Sequence, residues 1–351
     1  MPRSFRLLIG TYSGVPGGGI CSGLFSGGKL AEVHPVGEAA NPSFLALHPS
    51  GRIVYAVSEV PAGEVLAYSI DLQDGSIQLL DRTSSHGAGP CHIAVNQDGT
   101  LALAANYAGG SVCVISLGAD GRFEGEPGMI QHSATSCHPT RQNKPHPHGV
   151  FPSLDGRFAV VSDLGADRLY VYELDPAGAS LRPCGSVLSS KPGAGPRHFT
   201  FHPSGTLGYV VNELSSSVTS YHWDSAKGAL SERYTASTLV PGFSADNIAA
   251  AITTDPTGRF LYVSNRGADT IAVLELGNEG ELDMIQSVPS GGRTPRHFVL
   301  DPGGAYLLAG NQDSNSIVIF ERDCVTGRLT PTGEQADVPA PACLLFVPSR
   351  G

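Results

Sequence analysis

A proline followed nine residues later by a glycine recurs along this chain, and that recurrence leaves few folds open. It occurs as Pro42 to Gly51, Pro90 to Gly99, Pro147 to Gly156, Pro196 to Gly205 and Pro295 to Gly304. A further copy, ending Asp255-Pro256-Thr257-Gly258, carries Ala249 where the proline would stand. The turn glycines lie 48, 57, 49, 53 and 46 residues apart. A period of this length marks an array of one repeated supersecondary unit.

Each unit reads as four short strands. An apolar run enters the turn, as in Phe44-Leu45-Ala46-Leu47, and a β-branched and aromatic run leaves it, as in Phe260-Leu261-Tyr262-Val263. A third strand alternates as a half-buried strand does, over Thr270 to Leu276, and Ile77-Gln78-Leu79-Leu80 supplies an outer fourth. Four strands in about 50 residues make one blade of a β-propeller. Six copies fill the interior of the chain, and the two ends supply complementary fragments of a seventh. Pro341-Ala342-Cys343-Leu344-Leu345-Phe346-Val347-Pro348 matches only a first strand, whereas Arg6-Leu7-Leu8-Ile9-Gly10-Thr11-Tyr12 matches only a second. The expectation is an all-β chain, one domain over residues 1–351. It is a seven-bladed propeller of four-stranded antiparallel blades, closed by a composite blade from both termini that leaves no open sheet edge.

Composition narrows the function classes. The 44 glycines and 26 prolines follow no three-residue period, which excludes collagen and argues against long helices. No run approaches the roughly 18 apolar residues of a membrane span, and the opening Met1 to Gly10 has no apolar stretch suited to a signal sequence. A cytoplasmic protein is expected. The net charge of −10 has the wrong sign for a general binder of nucleic acid or anionic membrane, so an anionic partner must meet a local cluster of Arg or Lys. Seven cysteines with no Cys-x-x-Cys pair read as thiols rather than as a disulfide framework or zinc site.

In a propeller the first strand of each blade lines the central channel, so equivalent repeat positions form rings. The residue after the repeat proline is Ser43, Cys91, His148, Arg197, Ala250, Arg296 and Ala342; the next is Phe44, His92, Gly149, His198, Ala251, His297 and Cys343. Eight residues past the turn glycine come Glu59, Tyr107, Leu164, Glu213, Arg266 and Gln312. If both sets reach one face, a single opening carries Arg197, Arg266, Arg296, His148 and Glu213: a cationic pocket with one carboxylate and one imidazole in an acidic protein. Guanidinium groups bind phosphate or carboxylate bidentately and keep their charge at neutral pH. Either His148 or Glu213 is a candidate general base towards water, and an Arg is a candidate for stabilising the oxyanion of an attacked ester carbonyl.

Other polar residues read more plainly. His48 and His202 precede Pro-Ser-Gly turns and are expected to serve the turn; Asn106, Asn212, Asn265, Asn311 and Asp163 are expected to cap loops, and Glu59 to be a solvated loop residue. The segment Gln131-His132-Ser133-Ala134-Thr135-Ser136-Cys137-His138, leading to His146-Pro147-His148, is rich in possible zinc ligands but fits no standard ligand spacing, so no metal or other cofactor is expected. Phosphate-binding glycine loops and a Gly-x-Ser-x-Gly elbow do not occur, which disfavours nucleotide use and serine-hydrolase chemistry.

Five segments in order on this frame resemble one family. They are Arg141-Gln142 with Pro145-His146-Pro147-His148, Asp163-Leu164-Gly165-Ala166-Asp167, Asn212-Glu213-Leu214-Ser215-Ser216, Ser264-Asn265-Arg266-Gly267 and Thr294-Pro295-Arg296-His297-Phe298. The chain resembles, over nearly its whole length, the seven-bladed propeller lactonases, which include propeller-type 6-phosphogluconolactonases and carboxymuconate lactonizing enzymes. The resemblance implies a metal-independent site with its catalytic His, Arg and Glu at His148, Arg197, Glu213 and Arg266. Arg296, His198, His297 and His146 are expected to touch a small anionic lactone. The family commonly has an acidic residue where this chain has Ala251, within Ala249-Ala250-Ala251-Ile252. The implied activity is hydrolysis of a sugar lactone, foremost 6-phosphoglucono-1,5-lactone; a carboxymuconate cycloisomerase and a non-catalytic binding propeller are the alternatives.

Overall fold

The computed structural model describes residues 4–348 except 13, 15–17 and 190, so Met1–Arg3 of the N-terminal reading lie outside it. Its strands form seven four-stranded antiparallel sheets, and the one helix among the described residues is a single 3-10 turn at Gln312–Ser314. Six sheets are consecutive in sequence. The seventh joins Pro341–Val347 to Ser4–Thr11, Ile20–Ser26 and Lys29–Gly37, so the last strand becomes the innermost strand of the first sheet. This is the composite blade that the complementary terminal fragments require.

The four strands of a blade differ in burial because they lie at different radii. Second strands such as Leu101–Asn106 and Leu207–Asn212 are buried along their whole length, since both faces pack on neighbouring blades. Thr270–Leu276 differs from the half-buried strand expected from its alternation: residues 271–274 are all buried, because the next blade covers the second face. Outermost strands such as Ser180–Leu188 are mostly exposed. The core is therefore a ring of seven apolar clusters, most of them drawing on two adjacent blades. One packs Phe158 and Val160 with Tyr221 and Trp223; another packs Leu207 and Tyr209 with Leu261 and Val263. Each fully buried aliphatic side chain contributes roughly 1.5–3 kcal/mol.

Polar links tie one blade to the next. The Tyr55 hydroxyl donates to Gly121 O at 2.9 Å and that of Tyr262 to Gly327 O at 2.8 Å. His48 and His202 hold their own turns through Ser50 and Ser204, and each sets Nε2 against the turn glycine of the following blade, at 3.1 Å from Gly99 O and 2.8 Å from Gly258 O. Arg322 reaches back to Asp255 at 2.6 Å.

The first strands carry the feature that builds the site. Pro196 pairs with Asn212 and His198 with Val211, so Arg197 is the extra residue of a β-bulge; Cys91, His148 and Arg296 occupy the same position in their own blades. A bulge leaves one residue outside the ladder and re-aims its side chain.

Removing Pro341–Val347 exposes the Ser4–Thr11 edge and the apolar surface beneath Leu344 and Val347. A chain ending at residue 340 is expected to aggregate on expression, as sedimentation or light scattering would register; a monodisperse product with a native-like cooperative melt would contradict the closure argument.

Candidate active site

The two ring sets do open on one face, because the bulged start of each first strand pairs with the end of its second strand. Glu213, directly after the strand Leu207–Asn212, is 98% shielded from solvent, its side chain being 2% exposed, and lies at the centre of a cationic cluster. Its Oε2 lies 3.0 Å from Arg197 Nε and 2.9 Å from Arg266 Nη2, and Arg141 Nη2 donates to Oε1. Burial alone would raise the Glu213 pKa, but the fields of Arg266, His148, Arg197 and Arg141 outweigh it and hold the carboxyl well below the ordinary carboxylate range. Glu213 is therefore a permanent anion and a weak base. Arg197 Nη1 also reaches Ala250 O at 2.7 Å, and Arg266 Nη2 reaches Ala249 O at 3.0 Å, whereas Arg266 Nε is buried without a hydrogen-bond partner among the described residues. The small residues at 249 and 250 leave those carbonyls within reach.

His148 lies beneath this cluster, with Nε2 3.9 Å from Glu213 Oε2 and Nδ1 3.7 Å from the Cys91 thiol. Burial, and then the Arg197 charge, push its pKa well below 6.5, against the opposing pull of Glu213, so the imidazole is neutral. Burial also raises the Cys91 pKa, which keeps it a thiol.

Arg296 stands apart from the other arginines. Among the described residues its guanidinium makes no hydrogen bond or ion pair; its contact is the Tyr12 ring, 5.1 Å away. Tyr12, its pKa pushed up to about 12 chiefly by burial, donates at 3.0 Å to Glu59. Glu59 is thus not the solvated loop residue expected from sequence but a half-buried acceptor at the channel mouth, where its carboxylate adds to the field on Arg296.

His198 and His297 lie one layer deeper. With His92 and Phe44 they form an aromatic plug, the Phe44 ring lying 4.1, 5.6 and 5.5 Å from His92, His198 and His297. His297 Nδ1 accepts from Leu344 N at 3.2 Å and His92 Nδ1 from Val150 N at 3.4 Å, which places the proton of each neutral ring on Nε2. Burial, with Arg197 next, pushes His92 and His297 down to about 3 and His198 well below 6.5. His146 stacks on Tyr107 at 4.3 Å and donates from Nδ1 to Tyr107 O at 2.8 Å.

The stretch 132–146, read for zinc ligands, is employed otherwise. His132 bonds Asp163 at 2.6 Å and the Tyr172 hydroxyl at 2.9 Å, and His138 Nδ1 accepts from Arg141 N at 3.2 Å. Among the described residues no three His, Cys, Asp or Glu side chains converge on a metal position. The loop rests on Asp163-Leu164-Gly165-Ala166-Asp167. Asp163 Oδ1 accepts from His146 N and Ala166 N, both at 2.8 Å, and a side chain at Gly165 would collide with Lys144 O. Asp167 accepts from Ser136, Gly193 and Gly195. Sequence reasoning named Arg141 as part of a motif but gave it no place in the site; its signal was the 57-residue interval from Gly99 to Gly156, the longest of the series. Tyr107 was named at the ring position of Glu213 but given no role, and Tyr12, which stands at the equivalent place in the composite blade, was passed over.

Beside Arg266 lies an open groove of about 540 Å³ lined by Asp246, Asn247, Ile248, Gly267, Thr294 and Asp313. Within the channel mouth itself Arg141, Arg197, Arg266 and Arg296 stand against Glu213 and Glu59, while Asp246 and Asp313 add negative charge along the outer groove. The channel mouth of this propeller thus joins arginines to a buried carboxylate and a neutral imidazole. The chain belongs to the family described as lactonase, 7-bladed beta-propeller, whose profile matches residues 6–346. It is 35% identical over 343 residues to a 6-phosphogluconolactonase of Bacillus subtilis, covering 97% of each chain. It is 32% identical to a 6-phosphogluconolactonase of Formosa agariphila, covering 86% of this chain and 87% of that one. The solved structure of a periplasmic gluconolactonase of Pseudomonas aeruginosa superposes with a TM-score of 0.93 at 30% identity, covering 99% of this chain and 100% of that one.

The neutral histidines make stability depend on pH. Their folded pKa values lie below the unfolded value near 6.5, so below that pH the unfolded chain binds more protons and stability falls as pH falls. Each histidine contributes a slope of up to about 1.4 kcal/mol per pH unit. Chemical denaturation is expected to show a steep loss from pH 6.5 to 5, reduced by one proton's worth in His92→Phe; a flat profile would show that the plug accepts protons while folded.

Proposed function

We propose that the protein hydrolyses a phosphorylated sugar lactone, foremost 6-phosphoglucono-1,5-lactone, to the corresponding acid. The observation that carries this reading is the unengaged Arg296 guanidinium, set beside a neutral imidazole and an ionised carboxylate in a chain of the lactonase family. Donors already in place, and not spent on the protein, are available where negative charge develops.

Water adds to the lactone carbonyl carbon as His148 takes its proton, and Glu213 stabilises the imidazolium that forms. Arg296 receives the oxyanion. As the tetrahedral intermediate collapses, the bond from carbonyl carbon to ring oxygen breaks and His148 returns the proton to that oxygen. The products are an open hydroxy acid, which ionises at neutral pH, and the free imidazole. Arg197 and Arg266 act through the carboxylate they fix. The layer of His198 and His297 closes the pocket from below, and His146 orients Tyr107 at its rim. We place the reaction in the cytoplasm, a reading supported by seven cysteines of which none forms a disulfide.

A dehydrogenase-coupled assay, with spontaneous hydrolysis subtracted, tests the reading. Wild type is expected to exceed background, and His148→Gln and Arg296→Gln to lose roughly 100-fold or more in kcat. Because His148 is held well below 6.5, kcat/KM is expected to stay level from pH 8 to 6. An acid limb near 6.5, or full activity in His148→Gln, would remove the base from this account. Product mass adds a check, since hydrolysis gains one water and cyclisation gains none.

A further inference from the structure

Arg141 differs from the other arginines of the site in origin, exposure and engagement. It comes from the fifteen-residue connection 132–146, whereas the corresponding connections into the other innermost strands run from three to ten residues. Its side chain is 34% exposed, against 3% for Arg197 and 10% for Arg266. A single nitrogen is engaged: Nη2 donates to Glu213 Oε1 and, at 3.2 Å, to the Tyr107 hydroxyl.

Its backbone, by contrast, is pinned. The neighbouring Gln142 side chain is fully buried, donating to Leu164 O at 2.9 Å and accepting from His138 N at 3.0 Å, and Ser136 N donates to Gln142 O at 2.9 Å. Glu213 also keeps Arg197 and Arg266 on Oε2 if Arg141 leaves Oε1. The side chain alone is therefore able to move, and its departure leaves no buried charge uncompensated.

We propose that Arg141 is the specificity residue for the substrate's exocyclic dianion: it rests on Glu213 and Tyr107 in the free protein and transfers to the phosphoryl group when substrate binds. A phosphoryl group at the end of a sugar's flexible arm is strongly hydrated, and a half-exposed guanidinium with free donors meets it without desolvating it fully. The reacting carbonyl goes instead to Arg296, on the channel-lining strand. Discrimination between a phosphorylated lactone and its unphosphorylated counterpart then resides in the loop.

This inference rests on the lactonase reading, and one experiment separates the two. Wild type, Arg141→Gln and Arg141→Lys are assayed on 6-phosphoglucono-1,5-lactone and on glucono-1,5-lactone. Arg141→Gln is expected to lower the ratio of kcat/KM for the phosphorylated over the unphosphorylated lactone at least tenfold, mainly through KM, with partial recovery in Arg141→Lys. Equal losses on both substrates would overturn the proposal and leave Arg141 as a positioning residue for Glu213. If wild type hydrolyses neither lactone, the lactonase reading falls, and calorimetry with inorganic phosphate decides the latch: at least tenfold weaker binding in Arg141→Gln supports it, and equal binding overturns it.

Discussion

The site depends on one carboxylate shared among guanidinium groups from three separate parts of the chain. Glu213 receives Arg197 from the neighbouring first strand of its own blade, Arg266 from the next blade and Arg141 from the loop entering the preceding one. Removing the carboxylate would leave the buried Arg197 and Arg266 guanidinium groups without their counter-ion, a loss of about 3–5 kcal/mol. The arrangement therefore holds three cations in register across three blades. Arg296, which faces Tyr12 and Glu59 instead, remains available to a ligand.

The propeller makes this register possible. Seven sheets are closed into a ring by a shared terminal blade, and a bulge at the head of the first strand in six of them turns one side chain out of the ladder. The same repeat position carries a cation in two blades, an imidazole in one, a thiol in another and small residues elsewhere. The histidine and phenylalanine layer below fills the channel, so the mouth is a pocket with a floor and its charges act in a medium of low polarity.

The architecture was legible because repetition states the same turn and strand order six times, five of them with the proline, and because the two end fragments are complementary. Arg197, Arg266, Arg296, His148 and Glu213 were legible as a group because ring positions can be compared within one chain. Three matters were not. Burial of Thr270–Leu276 on both faces depends on a neighbouring blade that local alternation does not reveal. The engagement of Glu59 depends on Tyr12, across the closure of the ring. Arg141 lies in a connection longer than its counterparts in the other repeats, so comparison of equivalent positions passes over it, and its partner is 72 residues away. Sequence left the base open between His148 and Glu213; we propose His148, a reading supported by the three guanidinium groups that surround the carboxylate.

The central claim is that Glu213 stays ionised and so serves as the anchor rather than the proton acceptor. The direct measurement is the infrared difference spectrum between wild type and Glu213→Gln, recorded at pH 5 and pH 7. The account predicts that the difference contains a carboxylate stretch at both values and no protonated carboxyl band. A protonated band appearing at pH 5 would contradict it and return Glu213 to the position of general base.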